Sequence, residues 1–126
     1  MRRRASVVSP DGRLIANNDN KGTVIIREIS DEGEQKIKIS IETNIAMSHD
    51  GICFIPNAEK IACAMAGGIQ IFDIESGEPS LPPMKYPEPF VGRIVGSRVG
   101  SQLFSGSCEG TILRWDTETG EPIGQP

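Results

Sequence analysis

Apolar residues along the first forty positions come in short bursts cut by turn formers. Ser6-Val7-Val8 runs into Ser9-Pro10-Asp11-Gly12, then Leu14-Ile15-Ala16, a polar stretch from Asn17 to Gly22, and Thr23-Val24-Ile25-Ile26. Pro, Asp, Asn and Gly at the breaks supply the backbone angles of tight reversals, so the bursts predict strands joined by turns. Lys36-Ile37-Lys38-Ile39-Ser40-Ile41 then alternates strictly between polar and apolar, the mark of a strand with one wet face. Gly51-Ile52-Cys53-Phe54-Ile55 is instead nearly continuous in apolar character, as expected where both sheet faces are covered. No segment sustains a helical period with caps. The pattern predicts an all-β chain whose inner strands are buried on both faces and whose outermost strands are half wet.

The bursts repeat. Gly67-Gly68-Ile69-Gln70-Ile71-Phe72-Asp73 and Gly110-Thr111-Ile112-Leu113-Arg114-Trp115-Asp116 are related by an offset of 43 residues, and the turns Ser76-Gly77-Glu78-Pro79 and Thr119-Gly120-Glu121-Pro122 keep the same offset. A more diverged copy, Lys21-Gly22-Thr23-Val24-Ile25-Ile26-Arg27-Glu28, precedes the second by 45 residues. Upstream, Arg13-Leu14-Ile15-Ala16 matches Glu59-Lys60-Ile61-Ala62 and Ser101-Gln102-Leu103-Phe104. The small length differences fall in loops, which tolerate them where strands do not. A fixed period of this length signals an array of small sheets, each leaning on the next.

The third copy, from Leu103-Phe104-Ser105-Gly106 through Gly110-Thr111-Ile112-Leu113-Arg114-Trp115-Asp116, resembles a WD repeat, and the Ser9-Pro10-Asp11-Gly12 turn is another feature of that family. The Gly-Glu-Pro endings resemble those in the long WD arrays of fungal signalling NTPases. The resemblance implies a partial β-propeller of three consecutive four-stranded antiparallel blades, at roughly 1–42, 43–86 and 87–126. Members of the family often brace a blade with a hydrogen-bonded set of Asp, His, Ser or Thr, and Trp. Ser105 and Trp115 match two of these, whereas Glu109 stands at the Asp position and Tyr86-Pro87 replaces the usual Gly-His pair. The second copy has Phe72 for Trp and the first has Arg27-Glu28. The resemblance therefore implies an incomplete brace in every blade, with more of the stability resting on apolar packing between blades. In the second blade, Ser48-His49-Asp50-Gly51 imitates the opening turn, although spacing favours Pro56-Asn57.

Composition narrows the function. At 126 residues the chain fits one ordinary domain, and its 37% hydrophobic and 24% charged content suits a soluble globular protein. A net charge of −4 argues against bulk attraction to nucleic acid or an anionic membrane. No apolar run approaches a membrane span. Met1-Arg2-Arg3-Arg4 lacks the apolar stretch of a secretory signal. Cys53, Cys63 and Cys108 form no C-x-x-C pair; an odd count of unclustered thiols favours reduced, buried cysteines and a cytoplasmic setting.

Chemistry-bearing constellations are sparse. The single histidine, His49, sits in a local Ser-His-Asp string, but a triad converges in space rather than in sequence. One His and scattered Cys give no zinc spacing, and Asp19-Asn20 and Asp31-Glu32 read as solvated loop acids. A phosphate-cradling loop is absent. The expectation is no enzyme, no metal and no cofactor. Arg2-Arg3-Arg4-Ala5-Ser6 resembles the substrate motif of basophilic kinases, so Ser6 is a candidate phosphorylation site.

Surface recognition remains. WD-repeat propellers hold peptides or domains with the loops between second and third strands and those entering the first strand. By that resemblance the candidates are Asn18, Asp19, Asn20, Lys21, His49, Asp50, Tyr86, Glu88, Cys108 and Glu109. The expected role is a non-catalytic scaffold for other proteins or peptides. The alternatives are the sensor fragment of a larger signalling NTPase array, or a carbohydrate-binding or enzymatic propeller. The last needs repeated stacking aromatics or converging acids, which a lone Trp115 and His49 do not offer. A closed propeller has roughly 4–8 blades, so three blades leave two end faces to be covered. Either two copies join head to tail, or further blades follow; the stop at Gln125-Pro126, midway through a blade ending, favours the latter.

Overall fold

The computed structural model describes residues 6–19, 22–42, 51–55, 59–65, 68–85, 93–97, 102–106, 110 and 112–124. Among them there is no helix. Eleven strands form three separate antiparallel sheets. The first contains β1 (Ser6–Val8), β2 (Leu14–Asn18), β3 (Thr23–Ile29) and β4 (Gln35–Glu42) in the order β1-β2-β3-β4. The second contains β5 (Ile52–Ile55), β6 (Lys60–Met65), β7 (Gly68–Asp73) and β8 (Met84–Lys85) in the order β5-β6-β7-β8. The third has β9 (Arg93–Gly96), β10 (Gln102–Gly106) and β11 (Ile112–Asp116), with β10 in the middle. Each sheet is a meander of one contiguous stretch of chain. These are blades of a partial β-propeller.

The third blade shows three strands among its described residues where four were expected. In the second blade β8 supplies the fourth. The turn that precedes the fourth strand is nonetheless conserved between the two: Phe72 bridges Pro79 and Trp115 bridges Pro122.

Packing between sheets makes the core. Ala16, Val24, Ile26 and Ile41 of the first blade meet Ile52, Phe54, Ile61, Cys63 and Phe72 of the second in one buried cluster. Ala62, Ile69, Ile71 and Met84 of the second meet Ile94, Leu103 and Trp115 of the third in another. Burying an aliphatic or aromatic side chain contributes about 1.5–3 kcal/mol, so these seams, rather than cross-blade backbone bonds, hold the blades together. The second blade is apolar on both faces because it alone is sandwiched. That explains the unbroken run in β5.

The outermost strand departs from its sequence pattern. Strict alternation puts Ile37, Ile39 and Ile41 on one face. The β3–β4 register instead pairs Ile26 with Ile39 but Arg27 with Ile37, leaving Lys38 as an extra residue in a bulge. A bulge of one residue reverses the faces beyond it. Ile39 packs on the seam while Ile37 lies more than half exposed on the opposite face.

In the second blade Ile55 pairs with Lys60, so the β5–β6 connection falls at positions 56–59. Pro56 and Asn57 fall in that connection and lie outside the described residues, and Ser48 to Gly51 precede β5 in sequence.

Candidate functional site

In a meander, alternate connections leave by opposite ends of the sheet. The β2–β3, β4–β5, β8–β9 and β10–β11 connections therefore belong to one rim, together with β6–β7. Asn20 and Lys21 fall in the first, His49 and Asp50 in the second, Tyr86 and Glu88 in the third, and Cys108 and Glu109 in the fourth; all eight lie outside the described residues. Of the expected rim set, only Asn18 and Asp19 are described. Asn18 ends β2 at 1% exposure, so its side chain supports the rim from within. Asp19 closes the loop: its amide donates to the Thr23 carbonyl at 3.1 Å and its Oδ1 accepts the Thr23 amide at 3.1 Å. Ser6 is the exposed first residue of β1, paired with Asn17.

The opposite rim carries a feature the sequence did not disclose. A cleft of about 700 Å³ opens between the first two blades, walled by the β1–β2 turn, the β3–β4 edge, Glu59 and Lys60, and the turn after β7. In its lining Lys38 Nζ lies 3.3 Å from Glu28 Oε1 and 3.2 Å from Glu75 Oε1. Hydrogen bonding to Glu75, and then to Glu28, holds the Lys38 ammonium above its ordinary pKa. No sequence signal finds this cluster, because Glu75 belongs to another blade.

The turns of that rim are built locally. Ser9 Oγ donates to Asp11 Oδ1 at 2.7 Å and accepts the Leu14 amide at 3.0 Å. The Ser9 bond, together with the Arg13 amide, lowers the Asp11 pKa. Gly12 supplies the positive φ of 75° that the turn needs. After β7, Asp73 Oδ1 accepts the amides of Glu75 and Ser76 at 2.9 and 3.4 Å. After β11, Asp116 Oδ1 does the same for Glu118 and Thr119 at 2.8 and 3.1 Å. The repeated aspartate is thus a turn organiser, and its carboxylate is occupied by backbone donors.

Of the brace behind the rims, the Trp–Ser bond is present in the third blade. Trp115 Nε1 donates to Ser105 Oγ at 2.9 Å, both buried. The second blade has Phe72 and Cys63 at the same positions of the register, an apolar pair. In the first blade Arg27 Nη1 donates to Asn17 Oδ1 at 3.1 Å.

Among the described residues no three His, Cys, Asp or Glu converge. Cys63 is free and buried, and burial pushes its thiol up to about 12; burial raises Cys53 as well. Neither is a thiolate at neutral pH, the form that attacks or ligates.

No family model matches the chain. It is similar to the small ribosomal subunit protein RACK1y of Oryza sativa subsp. japonica, 31% identical over 117 residues, which covers 88% of this chain and 33% of that one. It is 29% identical over 126 residues to the small ribosomal subunit protein RACK1z of Arabidopsis thaliana, covering 86% and 37%. A 69-residue stretch is 36% identical to the small ribosomal subunit protein RACK1 of Brassica napus, covering 55% and 20%. The chain spans about a third of the length of the relatives that it matches over most of its own length. These matches point to RACK1, a WD-repeat propeller protein, and not to the signalling NTPase arrays that the Gly-Glu-Pro endings resemble. Separate antiparallel meanders, the Trp115–Ser105 bond and similarity to RACK1 together support the WD-repeat family, and the chain has the fold of a partial β-propeller.

Proposed function

We propose that the chain is a non-catalytic scaffold that binds proteins or peptides through the rim made by its β2–β3, β4–β5, β8–β9 and β10–β11 connections, in the cytoplasm. One observation carries the reading: among the described residues, the polar side chains best placed for chemistry are engaged in structure. Asp11, Asp73 and Asp116 fix turns, Lys38 ties two blades, and Cys63 is core. What is left for function is shape and the polar side chains of the connections, foremost Asn20, Lys21, His49, Asp50, Tyr86, Glu88, Cys108 and Glu109. The relatives are named as small ribosomal subunit proteins, which makes that subunit the first partner to test. The reading as the sensor piece of a larger signalling array rests on the Gly-Glu-Pro turns alone.

Scaffolding of this kind also requires that the two open end faces be covered, by further blades or by another molecule, because unpartnered apolar faces are uncommon on soluble monomers. The rim reading is tested by co-sedimentation with purified small ribosomal subunits. The chain should pellet with them, and joint replacement of Asn20, Lys21 and Glu109 by Ala should weaken binding at least tenfold. No co-sedimentation, or binding untouched by the triple change, would count against it.

A further inference from the structure

Acids crowd the rim opposite the proposed docking rim. The β3–β4 hairpin carries Glu28, Asp31, Glu32 and Glu34, and the turn after β7 carries Asp73, Glu75 and Glu78. The turn after β11 repeats the latter as Asp116, Glu118 and Glu121. Among the described residues the cations at this end are Arg13, Lys36, Lys38 and Lys60, while Arg98 falls in the β9–β10 connection outside them. Three of the four already face an acid: Arg13 lies beside Asp11, Lys60 opposite Asp73, and Lys38 between Glu28 and Glu75. The surplus is negative.

The cleft between the first two blades gives that charge a place to act. Both of its walls are built by residues 9–75, inside the chain. Its volume of about 700 Å³ falls in the range of roughly 300–1,000 Å³ typical of ligand pockets, which suits a few side chains of a peptide. Half-buried Leu14 and Ile29 line it together with Phe54 and Ile74, so part of its wall is apolar. Glu28 and Glu75 share one ammonium, and each is more than half exposed, so a negative charge remains there. Glu59 adds another. It is exposed, and among the described residues it alone has a positive φ, +50°, without being a glycine. Its carbonyl accepts the Ile74 amide at 3.1 Å. Glycine would take that conformation without a crowded Cβ. A side chain kept at such a cost is the kind of strain found at ligand clamps.

We infer that this cleft docks an extended segment of a partner protein in which basic and apolar residues alternate. Alternation sends neighbouring side chains to opposite sides of an extended chain, so the apolar ones rest on Leu14 and Ile29 while arginine or lysine heads meet Glu28, Glu59 and Glu75. The acidic turns around the cleft steer the segment in and repel an acidic one. The site lies on the other rim from the proposed scaffold surface and does not rest on that reading.

The test measures fluorescence anisotropy as the purified chain is titrated into three labelled peptides: alternating arginine and leucine, alternating glutamate and leucine, and arginine alone. The first should bind at least tenfold more tightly than either of the others, and less tightly in high salt. Glu59→Gln with Glu75→Gln should weaken it by about fivefold or more. Glu118→Gln with Glu121→Gln makes the same charge change in the third blade and should leave binding within about twofold. Glu59→Gly separates docking from folding, since relief of the strained backbone should raise the melting temperature while the peptide binds less tightly. Failure of the first peptide to bind, or a Glu59→Gly chain that binds it unchanged, would overturn the proposal. So would equal binding of the arginine peptide or equal loss in the two double variants, either of which assigns the attraction to diffuse charge. Joint replacement of Asn20, Lys21 and Glu109 by Ala should leave the peptide untouched, so this inference and the scaffold reading can fail separately.

Discussion

Lys38 of the first blade reaches Glu75 of the second at 3.2 Å because a bulge in β4 turns its side chain onto the seam. The same ammonium lies 3.3 Å from Glu28 in its own sheet, so one cation ties β3, β4 and the neighbouring blade. Without the bulge, alternation would put Lys38 on the face opposite Ile39, away from Glu75.

Replacing Lys38 by Met should lower the melting temperature, and the loss should shrink in high salt because Glu28 and Glu75 are solvent-exposed. The folded pKa of Lys38 is raised above 10.5. Its contribution is therefore complete below that value and is lost as pH climbs through the folded pKa. Thermal unfolding of the chain and the Met variant should converge in strong alkali; a gap that persists there would show that the stem, not the charge, matters.

The Trp115–Ser105 bond is buried, so removing its donor strands an acceptor. Trp115→Phe should cost about 1–3 kcal/mol in urea unfolding for the unsatisfied hydroxyl, beyond the lost ring area. The second blade shows the remedy, since Phe72 sits beside Cys63 at these positions. Adding Ser105→Cys to Trp115→Phe should recover much of that loss. A double variant no better than the single would assign the cost to ring size alone.

Gly77 has φ +76°, and a Cβ there would come within 2.9 Å of Ile39 Cδ1 across the seam. Gly33, at φ +86°, has nothing within 4 Å. Gly33→Ala isolates the left-handed backbone penalty, roughly 1–2 kcal/mol. Gly77→Ala should cost more, and adding Ile39→Val, which removes the clashing methyl, should close the difference. Equal costs at the two glycines would mean the turn does not press on the first blade.

Cys63 gives a pH signature of its own. Burial lifts its thiol from 9.0 to about 12. Above 9.0 the unfolded thiol ionises while the folded one stays neutral, so stability contributed by Cys63 falls as pH rises through that window. Cys63→Ala should flatten this part of the stability curve. In the native chain at pH 8, iodoacetamide should leave Cys63 unmodified until urea exposes it, as read by peptide mass mapping.

The blade cores were legible in the sequence because side-chain burial writes itself as pattern. The burst at 14–16 and the continuous run at 52–55 become β2 and β5, and the alternation at 36–41 becomes β4. What the pattern could not carry was pairing. The bulge at Lys38 is a property of two strands together, and it moves Ile37 to the other face without altering the local sequence. The same limit hides the cleft, since Lys38 and Glu75 are 37 positions apart and meet only when blades stack. Asn18 shows a subtler limit: a polar residue in a turn-like stretch reads as exposed, yet it is buried at the strand end. The incomplete brace was readable from Phe72 and Arg27, but that Asn17 would replace the serine acceptor was not.

Outside the strands, the backbone hydrogen bonds among the described residues join groups of the same blade, from Ser9 with Leu14 to Ile123 with Arg114. Among the described residues, side-chain packing and side-chain bonds join one unit to the next. Energetics of that kind are nearest-neighbour and additive along a row, so a whole unit could be duplicated or deleted without disturbing the register of the rest. An array made this way can change its circumference by gene duplication while each unit goes on folding from its own local contacts.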